Sequence, residues 1–302
     1  MNNDYRDKIT KIHGSSGKEW VDSIPVLINK FENEWKIKVG DRFALSYNYV
    51  CPAETLDGNK AVLKLSLPSD KEFRLEYEAL QRFPREIVTK IILSDIENGA
   101  LLLERAYPGT PISKIEDDHE QIHIASQVIG KLHNPVDKEM LAIFPTVKDW
   151  AKAFKRYRNN YSVKSGPIPY KVFDTGEKIF EELLGENKQQ VLLHGDLHND
   201  NILLSERGWL VIDPKGIIGE KEFELGAYLR NPYFDLPKGS DYKKVQTRRT
   251  IQFAEELGFD KRRVTLWAIA CASISLLWFL EDEGKVEDIY IENFELLNSL
   301  KF

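Results

Sequence analysis

The sequence predicts an α+β protein with two lobes, the first built on an antiparallel sheet and the second mostly helical. Between residues 35 and 104, β-forming residues occur in short runs that are separated by turn signals such as Leu56-Asp57-Gly58-Asn59. From Ile112 onward, apolar residues instead recur every three or four positions, as they do on one face of a helix. A polar loop at residues 194–201 interrupts this helical part between two apolar runs.

The size of the chain allows two domains. It has 302 residues, of which 42% are hydrophobic and 30% are charged, a composition typical of globular proteins. This length can bury two cores of modest size. We therefore predict a first domain over residues 1–105 and a second over residues 106–302. Residues 1–18 are polar and lack an apolar run, so we expect a loose arm there rather than a secretory signal.

Charge and cysteine content limit the partners and the compartment. The net charge of −6 argues against a nucleic-acid partner and is compatible with a cationic small molecule. Cys51 and Cys271 lie far apart, which predicts no disulfide framework and fits the reducing cytoplasm. The apolar segment Val264–Leu280 contains three hydroxyl side chains and is shorter than the roughly 20 residues of a membrane span. We predict a buried helix and no membrane partner.

A lysine lies inside an apolar strand of the first domain. Lys64 is the one charge in Ala61–Leu65, and an unpaired buried ammonium group is costly. A predicted helix over residues 70–83 follows directly and offers three carboxylates, those of Glu72, Glu76 and Glu78. The alternative is a lysine that reaches solvent at the edge of the sheet.

The other elements of the first domain are a helix and a hairpin. The helix spans Trp20–Trp35, and the hairpin spans residues 90–104 around Glu97-Asn98-Gly99. The chain then leaves the sheet at Pro108-Gly109, which predicts a hinge between the domains.

The second domain carries predicted helices at residues 118–133, 147–161, 170–184, 220–230, 241–257, 264–280 and 287–300. Two acidic groups are candidates for docking a cationic substrate, with a solvated surface as the alternative reading. The first group is Glu281, Asp282, Glu283, Glu287 and Asp288, and the second is Glu220, Glu222 and Glu224.

The polar loop carries the strongest chemical signal. It begins His194-Gly195-Asp196 after a buried strand, and Asn201 follows five residues after Asp196. Protein kinases use this Asp-to-Asn spacing, with the Asp receiving the proton of the substrate hydroxyl and the Asn holding Mg²⁺. Asp213 ends the strand that follows and supplies a carboxylate, the other hard oxygen ligand that Mg²⁺ prefers.

Two other readings of this loop are possible. His194 and His198 have the spacing of a metal-binding pair, but the surrounding oxygen donors favour Mg²⁺, and we expect His194 to brace the loop through hydrogen bonds. A polar hairpin loop without chemistry is the other reading. It requires the loop motif, Asp213 and the upstream Lys64 to coincide by chance.

The segment His194-Gly-Asp-Leu-His-Asn-Asp-Asn201 resembles the catalytic loop of the aminoglycoside phosphotransferases and related small-molecule kinases. Together with Leu101-Leu-Leu-Glu-Arg105 and Ile212-Asp-Pro-Lys-Gly216, it is most similar to the aminoglycoside/hydroxyurea antibiotic resistance kinases, which include streptomycin 6-kinases. The resemblance covers residues 35–232. It implies a bilobal protein-kinase-like fold that binds ATP and Mg²⁺ and phosphorylates a hydroxyl group.

The resemblance also assigns roles to residues. It favours Glu76 as the partner of Lys64, which would hold the α- and β-phosphates, and it places the backbone of Glu104 and Ala106 against the adenine. Asp196 would be catalytic, and Asn201 and Asp213 would hold the metal. The glycine-rich loop of protein kinases is absent from Phe43–Val50, which leaves Ser46 and Asn48 as candidates for capping the triphosphate.

The acceptor remains open at this point. The resemblance favours an aminoglycoside such as streptomycin. A sugar, an amino alcohol or hydroxyurea is the alternative within the kinases, and a catalytically silent nucleotide-binding protein is the alternative outside them. A protein kinase is a weaker candidate because no Ala-Pro-Glu motif follows Asp213.

Overall fold

The computed structural model describes residues 3–43, 47–231 and 240–300. The chain forms two compact units. The first comprises Met1–Gly109 with the short segment Leu204–Gly208, and the second comprises Thr110–Leu203 with Trp209–Phe302.

The first unit contains a five-stranded sheet in the order β1-β2-β3-β5-β4, in which all neighbours are antiparallel. Lys64 lies in the middle of this sheet, between Val50 on one neighbouring strand and Leu101 on the other. The predicted antiparallel sheet is therefore confirmed. The elements are α1 (Asn3–Trp35), β1 (Ile37–Val39), β2 (Tyr49–Thr55), β3 (Lys60–Leu65), α2 (Lys71–Arg82), β4 (Ile91–Asp95) and β5 (Ala100–Glu104).

The predicted loose arm is wrong, because the chain is helical from Asn3 to Trp35 with a kink at Gly14. Tyr5 and Ile9 lie four residues apart and are both buried in the core of the first unit. Burial of an apolar side chain of this size stabilises a fold by about 1.5–3 kcal/mol. The Tyr5 hydroxyl also donates to the carbonyl of Tyr47 at 3.1 Å. These contacts hold the segment in place. Its mostly polar composition makes its few apolar residues difficult to recognise as a buried face.

Helix α2 begins where the sequence predicts a helix. Asp70 caps its N-terminus by accepting the backbone N–H of Glu72 at 2.9 Å. Its buried face carries Phe73, Ala79 and Leu80 together with one charged residue, Glu76. Burial of that carboxylate requires a partner, which Lys64 supplies.

The second unit is mostly helical, as predicted. The helices are α3 (Asp118–Leu132), α4 (Lys138–Ile143), α5 (Val147–Trp150), α6 (Lys152–Asn160), α7 (Tyr170–Leu184), α8 (Glu224–Arg230), α9 (Ser240–Leu257), α10 (Lys261–Glu283) and α11 (Asp288–Asn298). The remaining strands are β6 (Pro108–Pro111), β7 (Asn134–Pro135), β8 (Val191–Leu193), β9 (Ile202–Ser205), β10 (Gly208–Val211) and β11 (Ile217–Gly219). Parts of β6, β9 and β10 belong to the first unit.

Helix α10 forms the centre of the second unit and packs against α7 and α8. Among the described residues, it is the one helix long and apolar enough to cross a membrane, and 78% of its most apolar window is buried inside the protein. The prediction of a buried helix over Val264–Leu280 is confirmed.

The polar loop connects two small three-stranded sheets, which have the strand orders β11-β8-β7 and β10-β9-β6. In the first, Leu193 of β8 lies opposite Ile217 of β11. The polar loop leaves β8 directly after Leu193 and leads into β9. The paired strands therefore fix where the loop begins and ends.

Candidate active site

Lys64 forms a buried ion pair with Glu76 in the first unit. The lysine nitrogen lies 2.8 Å from Glu76 Oε1 and 2.6 Å from Oε2, and both residues are 4% exposed. The predicted partner of Lys64 is confirmed, whereas Glu78 pairs with Arg82 on its own helix. A bidentate partner of this kind fixes the position of the ammonium group on β3.

We expect Lys64→Met to lower both stability and activity. The change leaves the Glu76 carboxylate buried without its cation, which costs about 3–5 kcal/mol of unfolding free energy. Adding Glu76→Leu to the same chain removes the buried charge and should restore most of the stability without restoring phosphoryl transfer. Denaturant unfolding and ADP release measure the two effects separately. Full activity in the stable double variant would contradict a role for Lys64 in nucleotide binding.

Glu104, at the end of β5, is held through its backbone. Its N–H donates to the carbonyl of Lys90 at 2.8 Å, and its carbonyl accepts the Thr89 hydroxyl at 2.6 Å. A carbonyl oxygen has two lone pairs, so the atom retains acceptor capacity for a ligand. Ala106, the other residue predicted to contact adenine through its backbone, is buried. Ser46 lies outside the described residues, and the adenine contacts remain a prediction.

Arg207 fixes Glu104 from the segment Leu204–Gly208, and the sequence analysis missed it. Its guanidinium donates to both carboxylate oxygens of Glu104 at 2.7 Å and to three carbonyl oxygens, those of Arg85, Glu86 and Val88. Burial alone would raise the pKa of Glu104, but the hydrogen bond and charge of Arg207 lower it. No local sequence signal marks this contact, since 103 residues separate the partners.

The second residue of the polar loop is a glycine that no other residue replaces easily. Gly195 has φ of +85°, a conformation that L side chains rarely adopt. A Cβ atom there would lie 2.9 Å from Ile217 Cγ2 and 3.2 Å from Trp150 Cη2. The tight turn therefore brings the loop backbone at Gly195 itself close to β11 and α5.

His194 braces the loop, as predicted. Its Nδ1 accepts the backbone N–H of Asp196 at 3.2 Å, so the ring proton belongs on Nε2, which donates to the Ile212 carbonyl at 2.8 Å. Both ring nitrogens are thus engaged, which rules out the alternative of a metal site on His194 and His198. His198 Nδ1 accepts the N–H of Asp200. Burial lowers the pKa of His198, although the charge of Asp196 opposes this effect.

The two candidate metal ligands are neighbours in the second unit. The Ile212 N–H donates to the Asn201 carbonyl at 3.1 Å, which places Asp213 next to Asn201. Asn201 Nδ2 donates to the Asp196 carbonyl at 2.9 Å. The amide oxygen of Asn201 is therefore the atom that it offers to a ligand. Asp213 is exposed and has φ of +57°.

This donor set fits Mg²⁺. In the described part of the chain, no three His, Cys, Asp or Glu side chains gather into a metal-binding group. Mg²⁺ does not require such a group, since it usually takes one or two protein oxygens and completes its shell with phosphate oxygens and water. One amide oxygen from Asn201 and one carboxylate from Asp213 would supply the protein share.

Glu224 binds the backbone of the loop. Its carboxylate accepts the N–H of His194 at 2.8 Å and that of Gly195 at 3.0 Å, and His133 Nε2 lies 3.3 Å away. Burial alone would raise the pKa of Glu224, but the hydrogen bond and charge of His133 and the Gly195 N–H together lower it. Glu224 is therefore an ionised, fully buried clamp.

The sequence-based proposal that the acidic groups dock a cation is wrong for two of these residues, Glu220 and Glu224, which are buried and already have partners. Glu224 is occupied by the loop. Glu220 is 5% exposed and accepts two guanidinium hydrogen bonds from Arg263 at 2.6–2.7 Å. Glu281 pairs through both carboxylate oxygens with Arg156. The buried carboxylates of Glu220 and Glu224 are therefore not available to a substrate, whereas the pair of Glu281 lies on the surface.

Asp196 lies beside a cation that the sequence analysis did not identify. Arg230 Nη2, at the end of α8, donates to Asp196 Oδ1 at 3.1 Å. Burial alone would raise the pKa of Asp196, but the charge of Arg230 and, after it, those of His198 and Lys215 lower the pKa. Asp196 is consequently an anion at neutral pH, the form that accepts a proton.

The two units have the architecture of the protein-kinase-like fold. A thermostable mutant of the aminoglycoside phosphotransferase APH(4)-Ia, solved as a ternary complex with ADP and hygromycin B, matches 91% of this chain and 96% of its own with a TM-score of 0.61 at 13% identity. The chain belongs to the aminoglycoside/hydroxyurea antibiotic resistance kinase family, whose sequence model matches residues 40–283. It is a small-molecule phosphotransferase.

Two relatives illustrate the range of the family. Streptomycin 6-kinase of Streptomyces glaucescens is 26% identical over 278 residues, which cover 91% of this chain and 89% of that protein. Hydroxyurea phosphotransferase of Kitasatospora aureofaciens is 27% identical over 295 residues, which cover 89% of this chain and 77% of that protein. The chain is thus similarly distant from kinases named for very different acceptors.

Proposed function

We propose that this protein transfers the γ-phosphate of ATP to a hydroxyl group of an aminoglycoside, with streptomycin as the first candidate, and so confers resistance in the cytoplasm. The observation that carries the proposal is the polar loop, in which hydrogen bonds fix Asp196 and Asn201, and to which the Ile212 N–H joins the backbone next to Asp213. The similarity to streptomycin 6-kinase over 91% of the chain supports the choice of acceptor.

Each residue then has one task in the reaction. The Lys64 ammonium group, held by Glu76, binds the α- and β-phosphates, and the backbone at Glu104 and Ala106 receives the adenine. When bound at Asn201 and Asp213, Mg²⁺ neutralises charge on the phosphates. Asp196 orients the acceptor hydroxyl and takes its proton.

The transfer itself is a single exchange at phosphorus. The acceptor oxygen forms a bond to the γ-phosphorus while the bond to the bridging oxygen breaks, and ADP leaves with the electron pair of that bond. In such a loose transition state the protein acts by positioning and by charge neutralisation. The hydrogen bonds that fix the loop backbone supply the positioning.

A kinase for another small hydroxyl compound is the second candidate. The similarity to hydroxyurea phosphotransferase supports this candidate. The chain is 27% identical to that protein and 26% identical to streptomycin 6-kinase. A cationic acceptor fits the net charge of −6, whereas hydroxyurea is neutral and small. Carboxylates already paired inside the protein, such as Glu220 and Glu224, do not contribute to that preference.

An acceptor panel tests the proposal. We expect Mg²⁺-dependent ADP release with streptomycin at a kcat/KM at least tenfold above that with hydroxyurea, a sugar or an amino alcohol. Mass spectrometry of the product verifies the added phosphoryl group, and Asp196→Ala serves as the inactive control. A higher kcat/KM with one of the other acceptors would favour the second candidate. Nucleotide binding without turnover of any acceptor would favour a silent nucleotide-binding protein.

A further inference from the structure

Arg230 lies against the proposed catalytic carboxylate without being part of the polar loop. Its Nη2 donates to Asp196 Oδ1 at 3.1 Å, and the two side chains are 19% and 30% exposed. We propose that Arg230 is a positioning residue, which holds Oδ1 of Asp196 so that Oδ2 faces the acceptor hydroxyl. This inference rests on the proposed role of Asp196.

The position of Arg230 is itself fixed. Its backbone carbonyl accepts Asn293 Nδ2 from α11 at 3.2 Å. Arg230 also lines a cavity of about 20 Å³ together with Phe279 and Tyr290. Such a volume holds roughly one water molecule.

Helix α8 thereby holds the loop at two points. Glu224, its first residue, binds the backbone N–H groups of His194 and Gly195, and Arg230, its last residue, binds the side chain of Asp196. One short helix, packed against the central helix α10, sets both the path of the loop and the orientation of its carboxylate. An interaction of this kind is worth most when its partners are rigid.

The choice of arginine follows from the geometry. The guanidinium is planar, always charged and presents its donors in a fixed fork, so it holds one carboxylate oxygen in a defined direction. A lysine ammonium group would supply the charge without the fork. His198 and Lys215 also contribute positive potential at Asp196, but the Arg230 guanidinium donates directly to its carboxylate. Arg230 therefore contributes geometry as well as charge.

The experiment compares Arg230→Ala and Arg230→Lys with a matched control. Arg158 also pairs with a carboxylate, that of Glu177, but on the exposed surface between α6 and α7, so Arg158→Ala is the control. We expect Arg230→Ala to lower kcat by about 10- to 100-fold, which is the equivalent of one charged hydrogen bond. The KM for ATP and the KM for the acceptor should both stay within a factor of about three of the wild-type values. Guanidinium ion at millimolar concentration should restore part of the lost kcat in Arg230→Ala only.

The remaining outcomes separate this inference from its rivals. Arg230→Lys should retain more activity than Arg230→Ala. An unchanged or increased kcat in Arg230→Ala, with Asp196→Asn inactive, would overturn the inference while leaving the proposed function intact. A rise in the KM for ATP without guanidinium rescue would assign Arg230 to the phosphates instead.

A crystal structure of Arg230→Ala gives a readout that does not depend on any acceptor. We expect the Asp196 side chain to occupy more than one rotamer in the variant and a single rotamer in the wild type. A single, unchanged rotamer in both would refute the positioning role even if no acceptor were turned over.

Discussion

Asp196→Asn is expected to lower kcat by about 10²- to 10⁴-fold, the range that a positioned general base contributes. The amide has the shape of the carboxylate but cannot take the proton of the acceptor hydroxyl. Its oxygen can still accept the hydrogen bond from Arg230, and the backbone carbonyl of residue 196 still accepts Asn201 Nδ2. The free energy of unfolding and the affinity for nucleotide should therefore change little.

Asp200→Asn is the matched control for this prediction. Asp200 lies in the same loop, and its carboxylate accepts the Ser113 hydroxyl at 2.7 Å. An amide oxygen can accept the same hydrogen bond, so kcat should stay within a few-fold of the wild type. Steady-state kinetics with the best acceptor of the panel, together with nucleotide titration, measure both variants. Equal losses in the two would indicate a general effect of loop charge and would contradict a specific role for Asp196.

The site residues that could be predicted from the sequence are polar residues whose chemistry requires a partner. Lys64 in an apolar strand required a carboxylate, and the next helix supplied one in Glu76. Asp196 and Asn201 were recognisable because five residues of loop separate them and apolar strands bracket that loop. In both cases a costly polar group stands out against an apolar run, and the pattern is local enough to be seen in the sequence.

The functional residues that could not be predicted from the sequence contact groups that lie far away along the chain. Some of these groups belong to the backbone and do not depend on the residue type. Glu224 binds backbone N–H groups about 30 residues away, and any residue at those positions would offer the same donors. Arg230 is 34 residues from Asp196, and Arg207 is 103 residues from Glu104. In the sequence, such arginines and glutamates cannot be distinguished from exposed charged residues. Only the structure shows what they contact.

Only the second half of helix α1 was predicted from the sequence, for a related reason. Its second half shows a clear apolar stripe, whereas the first half spaces Tyr5 and Ile9 among charged residues and contains Gly14 at positive φ. Composition alone therefore indicated a loose arm. Burial of a few well-spaced residues, among them Tyr5 and Ile9, makes this segment part of the core rather than a loose arm.

Glu224→Gln is expected to produce the largest loss of stability in the second unit, about 3 kcal/mol of unfolding free energy at neutral pH. Glutamine retains one acceptor oxygen but turns an NH₂ group toward the other backbone donor of the His194-Gly195 pair. One N–H of the loop is then buried without a partner, and His133 faces an amide instead of a carboxylate. A shift of about 1 Å in the loop would also cost roughly 10²-fold in kcat.

This loss should depend on pH in a defined direction. The folded state lowers the pKa of Glu224 below the value of about 4.3 found in unfolded chains. The unfolded state then binds more protons, so the stabilisation is fully present above about pH 4.3 and is lost as the pH falls through the folded-state pKa. The difference in stability between the wild type and Glu224→Gln should therefore stay constant from pH 7 to about pH 4.3 and shrink only as the pH falls further toward that lower pKa.

Glu222→Gln provides the control, since it makes the same chemical change two residues away on a half-buried side chain. Denaturant unfolding of all three proteins at several pH values from 8 down to 3 measures the effect. The control should follow the wild type within about 0.5 kcal/mol, the usual range for a surface change. If Glu224→Gln matched the control in both stability and kcat, the loop would hold its shape without the buried carboxylate. The polar loop would then owe its geometry to Gly195 and His194 rather than to α8.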